Sequence, residues 1–205
     1  MPVLSLHTAP AIEPVTLSEV KDYLRIDDGD SDVVISDLIV AARMYAETYT
    51  RRPFITQTWR LTLDTFPYSE YGMSQGQFYS QKYPGGAILL PLPPVQSLTS
   101  ITYLDTLNAT TTFSSANYQT DFRSEPCRVA TIQGVSWPAT YTAMNAVTLI
   151  FVCGYGSTPE SVPQGIRAAI RMLVSAWYDS CDTGEKPIPM AVQTLLMQHR
   201  YMGVA

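Results

Sequence analysis

Long apolar runs are missing from this chain, and so is any surplus of positive charge. No stretch approaches the roughly 18 consecutive apolar residues that a membrane-spanning helix needs. The opening MPVLSLHTAP has no basic segment leading into an apolar one, so the expectation is a protein made in the cytoplasm with no membrane partner. Thirteen Lys and Arg face eighteen Asp and Glu, a net charge of −5. Proteins that read nucleic-acid sequence neutralise phosphates with a basic excess, which this chain does not have. Its three cysteines, Cys127, Cys153 and Cys181, are far apart and never in CxxC spacing. That excludes a disulfide framework or zinc site and leaves them as reduced, buried, small hydrophobes. The two histidines, His7 and His199, lie near opposite ends and no GxSxG occurs, which leaves no Ser-His-Asp arrangement to build on.

Two motifs imitate chemistry without completing it. Asp28, Asp30 and Asp32 begin like a calcium loop, but Val33 stands where that loop needs Gly and Ile39 where it needs a bidentate Glu. No metal is expected, and Asp30 is read instead as the cap of the helix that follows. Gly154-Tyr155-Gly156 sits between a strand and a helix like a dinucleotide fingerprint, yet Pro159 takes the third Gly position and no βαβ repeat surrounds it. These are read as turn glycines, and no cofactor is expected. Carboxylate pairs such as Asp64 with Glu70, or Asp179 with Asp182, read as solvated surface.

What the chain does have is apolar weight: 46% of its 205 residues are hydrophobic and 15% charged. A subunit that buries surface against neighbours has this balance. The charge is uneven, since the first fifty residues hold nine acids against three bases. Thr16-Leu17-Ser18-Glu19 is a capping box, which starts a helix over Leu17–Leu24. A longer helix follows the acidic turn, with Val34, Leu38, Ala41, Tyr45 and Tyr49 at helical spacing, and Pro53 stops it.

From Ile55 the period becomes two. Ile55, Gln57, Trp59, Leu61 and Leu63 share one face of a strand, and further strands are expected at 87–90, 98–104, 118–122, 128–132 and 146–153. The run Val147–Val152 is nearly all apolar and is expected to be central. Trp59, Leu61, Leu149, Phe151 and Trp137 are the expected core, so Trp59→Ala should cost about 3–5 kcal/mol. Between Phe66 and Gly86 a stretch rich in Tyr, Gly, Ser and Gln reads as a long loop. Helical period returns at Ile166, Ile170, Leu173, Trp177 and Cys181, with Pro163 in the first turn and Gly184 as the stop. A Pro-stiffened spacer and a short helix from Met190 to His199 complete the chain.

The expected class is α+β, a small helical bundle interrupted by an inserted antiparallel β domain in α-α-β-α-α order. The boundaries are 1–53 for the N-terminal helical part, 54–158 for the β domain with its loop 66–86, 159–183 for the C-terminal bundle helix and 184–205 for a terminal arm.

Four stretches together resemble one family, the phage head-tail connector (adaptor, head-completion) proteins. They are PVTLSEVKDYLRIDDGDSD with the helix to Arg52, ITQTWRLTLDTFP, the stretch from SWPA to VTLIFVCGYG, and VPQGIRAAIRMLVSAWYDS. The resemblance implies no catalytic residues. It implies a homo-oligomeric ring of twelve in the virion neck, between the portal protein and the next neck or tail-completion protein, through which double-stranded DNA passes non-specifically. On that footing Val34, Leu38, Tyr45, Ile170 and Trp177 are expected at subunit contacts. Asp27, Asp28, Asp30 and Asp32 are candidates for an acidic lumen that repels phosphates. Val192, Leu195, Leu196 and His199 form the expected portal-docking face of the last helix. Two rival readings remain: a carbohydrate-binding or host-recognition β module that uses the Tyr-rich loop as a stacking platform, and a hydrolase.

Overall fold

The computed structural model describes residues 2–67, 79–80, 86–180 and 187–203. They fall into two compact units, one made by Pro10–Thr56 with Tyr155–Tyr201 and the other by Gln57–Gly154 with the segments ending at Ala9 and beginning at Met202. The first is helical and the second is β, which makes the class α+β.

The helical unit contains α1 (Leu17–Leu24), α2 (Asp32–Thr50), α3 (Gln164–Asp179) and α4 (Met190–Met197). α1 begins with the expected capping box: Thr16 Oγ1 accepts the Glu19 amide at 3.2 Å and Glu19 Oε2 accepts the Thr16 amide at 2.9 Å. The cap of α2 is a correction. Ser31, not Asp30, occupies that position, and the Asp30 amide is turned back onto Asp28 Oδ1 at 3.1 Å. Pro163 is the cap residue of α3 and lies before its first turn, with its carbonyl accepting the Ile166 and Arg167 amides. α3 ends at Asp179, ahead of the expected stop. Cys181 and Gly184 lie outside the described residues.

Helical spacing predicts most of this unit's core. Ile35, Ile39, Ala42 and Ala46 of α2 meet Ile166, Ala169, Ile170 and Leu173 of α3, with Val192 and Leu196 of α4 closing the cluster. Each large aliphatic side chain removed from water here contributes about 1.5–3 kcal/mol, and the alanines let α2 and α3 approach closely. The strand expected from Ile55 starts two residues later. Ile55 is buried in the helical core and forms an isolated bridge to Gly156, with the Thr56 amide on the Gly156 carbonyl at 2.9 Å. A Cβ on Gly156 would sit 2.3 Å from Ser161 Oγ, so glycine is required there by close approach, without any nucleotide.

The β unit contains β1 (Val3–Thr8), β2 (Gln57–Leu63), β3 (Tyr79–Ser80), β4 (Ala87–Leu90), β5 (Val95–Leu104), β6 (Thr110–Thr112), β7 (Tyr118–Asp121), β8 (Cys127–Thr131) and β9 (Val147–Cys153). They make two antiparallel sheets, in the orders β1-β2-β9-β5-β6 and β3-β4-β8-β7. The apolar run of β9 is central, as its composition demands: it pairs Phe151 with Trp59 on one side and with Leu98 on the other. β1 is a correction to the expected helical segment 1–53. The alternating VLSLHT pairs as an edge strand with β2, Leu4 opposite Leu61. Leu61, Leu63, Ile101, Leu149 and Phe151 of one sheet and Ile88, Leu90, Cys127 and Val129 of the other share a single core.

Trp59 and Trp137 only pack against the margin of that core. An aromatic group stands beside them: Phe66 stacks on Trp137 with ring centroids 4.8 Å apart, and Phe113 lies 5.3 Å from the same indole. Of the loop expected over 66–86, residues 68–78 and 81–85 lie outside the described residues.

Candidate subunit interface

The acidic turn is built around one lysine. Lys21 Nζ on α1 reaches Asp32 Oδ1 at 2.6 Å and also donates to the Asp28 carbonyl. Asp32 is thereby neutralised, while Asp27, Asp28 and Asp30 are exposed and keep the turn negative. The partial calcium-loop pattern is spent on this scaffold, and no group of three metal-ligating side chains occurs among the described residues.

Side chains from distant segments fix the helices to one another. Arg167 of α3 binds the Glu19 carboxylate and, through Nε, the Pro14 carbonyl at 3.1 Å. Burial alone would raise the Glu19 pKa, but the Thr16 amide and the Arg167 guanidinium outweigh it and hold that carboxyl below its ordinary value. Arg43, buried on α2, joins Glu13 at 2.7 Å and Glu47 at 2.9 Å. Burial opposes that charge, and the two carboxylates overcome the opposition and raise its pKa. Ser31 Oγ shares a hydrogen bond with Tyr178 Oη at 2.9 Å. Arg52 Nε donates to the His199 carbonyl at 2.7 Å. His199 is half-buried, and burial, then the nearby Arg52, lowers its pKa.

Most of the residues expected at subunit contacts are turned inward. Leu38, Ile170 and Trp177 are buried in the helical unit's own core. Tyr45 stacks on Tyr49 at 6.2 Å and meets the Trp177 ring edge-on at 6.1 Å, and Val34 alone of the five is exposed. The residues expected as the docking face are turned inward in the same way. Val192 and Leu196 are fully buried in that core, Leu195 packs against it, and α4 therefore spends its apolar side on its own bundle. In both helices periodicity finds the larger apolar stripe, and a helix gives that stripe to its own domain first.

Other apolar side chains are exposed on the opposite sides of the same helices. Val33 (75% exposed), Val40 and Met44 (58%) line the back of α2, and Met190 (81%) and Met197 (64%) the back of α4. The available signal was apolar residues at i, i+7 and i+11 outside the main stripe. On the β unit, a groove of about 420 Å³ on the outer face of the five-stranded sheet is lined by Arg60, Thr62, Thr102 and Thr148 among others. Its described lining carries no aromatic platform and no carboxylate.

Residues 14–86 match the family of phage gp6-like head-tail connector proteins. No curated protein matches the chain. A chain from the neck of an empty GTA particle, taken with C6 symmetry, superposes with a TM-score of 0.75 at 20% identity, covering 99% of this chain and 97% of that one. A chain from the virion of a native gene transfer agent (GTA) particle gives 0.74, and one from the neck of a native GTA particle with C12 symmetry gives 0.73, both at the same identity and coverage. At that identity the likeness is one of fold. The chain thus resembles the head-tail connector family in sequence over residues 14–86, and chains from GTA particle necks and a virion in fold over its whole length.

Proposed function

We propose that this chain is a structural connector subunit of a phage-like neck, assembling with copies of itself into a ring through which DNA passes. The observation that carries the reading is the whole-length match of fold, across both units, to chains from particle necks and a virion. The connector-family match over 14–86 comes independently from sequence. Twelve copies is the proposed number, in keeping with the C12 neck of one of these neighbours. The ring sits between a portal above and the next neck or tail-completion protein below. The role is one of assembly, and no residue is assigned to catalysis.

The acidic turn fits that role. A channel that passes duplex DNA must not hold it, and the exposed carboxylates of Asp27, Asp28 and Asp30 repel phosphate. Electron microscopy of the purified chain, alone and with its portal, tests the reading. Rings with a central opening, twelvefold on the portal, are expected. A closed two-fold dimer that does not engage the portal overturns it, because two-fold contacts end at dimers and only head-to-tail contacts close rings.

A further inference from the structure

We infer that the back of α2 is the self-association surface of the helical unit, packed in the ring against the outward face of α4 from a neighbouring copy. The inference rests on the ring reading above and names the contact that builds it. Val33, Val40 and Met44 fall within about 40° of one line along α2 at 100° per residue. That line is opposite Ile35, Ala42 and Ala46, which face the core. A solvent-facing helix side normally carries polar residues, yet here three apolar side chains are exposed, two of them by more than half. Met190 and Met197 repeat the arrangement on α4, one heptad apart and opposite the buried Val192 and Leu196. Each stripe lies on the far side of its helix from the same core, so the two point in different directions.

Charge says which surface meets which. Asp37 stands exposed within the α2 stripe, and the helix begins at the acidic turn. From Pro187 to Gly203 the sequence has no acid, and it has an exposed arginine, Arg200, whose guanidinium lies 5.2 Å from the Tyr49 ring centroid. An α2 stripe set against its own copy would oppose Asp37 to Asp37. Set against α4 it brings acid to base and apolar to apolar. Two unlike patches make a heterologous contact, the kind that repeats around a ring. Methionine at three of the five positions suits a contact that must adapt, since its unbranched thioether packs against irregular surfaces.

The test uses the full chain in a Cys181→Ser background. One preparation carries Met44→Cys and another Met197→Cys; they are mixed, left to assemble alone or on the portal, and treated with a short bis-maleimide. Cross-linked dimer is expected in the mixture and in neither preparation by itself. Rings that form without this cross-link overturn the inference and leave the ring reading standing, as does a cross-link within Met44→Cys alone, which marks a two-fold contact. A wild-type chain that makes no ring, alone or on the portal, overturns the ring reading itself. Separately, Met44→Glu is expected to lower the assembled fraction by more than about tenfold, the effect of roughly 1.4 kcal/mol at a contact, with the melting temperature unchanged. Undiminished assembly of Met44→Glu overturns the inference.

Discussion

The helices of the helical unit are tied to distant segments largely by side-chain polar bonds, whereas the strands of the β unit are joined to one another through the main chain. Arg167 with Glu19, Ser31 with Tyr178 and Arg52 with His199 each join residues about 147 positions apart. The β unit instead aligns β2 with β9 by an unbroken ladder from Gln57–Cys153 to Leu63–Val147, and β5 with β9 by a ladder whose register shifts between Val95 and Ser97 and between Leu98 and Ser100. The difference follows from where each element spends its backbone. A helix satisfies its amides internally and has none left to fix a neighbour's register, so charged and hydroxyl side chains must do it. A strand sets register with the same bonds that satisfy it, and side chains are released to build an apolar and aromatic core.

The contrast breaks in measurable ways. Phe66→Ala, which empties the centre of the aromatic group, should cost about 4 kcal/mol, read by chemical denaturation; a cost near zero would mean that the ladders alone hold the β unit. Arg43→Ala leaves Glu13 and Glu47 facing each other without their cation and should cost about 3 kcal/mol. The matching change in the β unit, Arg128→Ala, removes a more exposed partner of Asp121 and should move the melting temperature far less. Equal shifts would remove the distinction between the units. Trp59→Ala sharpens the comparison within the β unit. The indole is only half-buried and its Nε1 donates to Gln57 Oε1 at 3.2 Å, so the expected cost falls to about 1–2 kcal/mol.

Acid gives the smallest effect and separates the units by pH. The His199 pKa is lowered on folding, so its contribution is complete above the ordinary histidine value and is lost as pH falls through it toward the folded value. The side-chain hydrogen bond from Arg128, then the Arg123 amide, draws the Asp121 pKa down to about 2, and that contribution persists until far lower pH. Mild acid below about pH 6.5 should therefore loosen the helical unit before the β unit. His199→Gln should flatten that part of the profile, as followed by circular dichroism during an acid titration.

Much of the fold was legible because it depends on short-range pattern. The capping box at Thr16 and Glu19, the spacing of Ile166 to Trp177 and the apolar run of β9 each require only neighbours in sequence. β1 was missed because its six alternating residues have meaning only beside β2, more than fifty positions later. The Asp30 cap failed because α2 begins one residue further on, at Asp32, which puts Ser31 in the cap position. The inferred contact surface was the least legible part. Periodicity reports the strongest apolar stripe of a helix, and in α2 and α4 that stripe was claimed by the domain core. Only a fold that shows the core already filled turns Val33, Met44, Met190 and Met197 into a question.

The pairing of Gln57 with Cys153 brings the two ends of the main β segment side by side. The halves of the helical unit are separated in sequence by that segment, Gln57–Gly154. Joining them across about 100 disordered residues would cost ~4 kcal/mol in chain entropy. Once the sheets have formed, that loss has already been met, and Thr56 and Tyr155 begin as near neighbours. Sheets formed first would act as a staple on the folding pathway. Damage to β2 or β9 should slow the appearance of the helical bundle as well as its own unit, while damage to α3 should leave the speed of sheet formation unchanged.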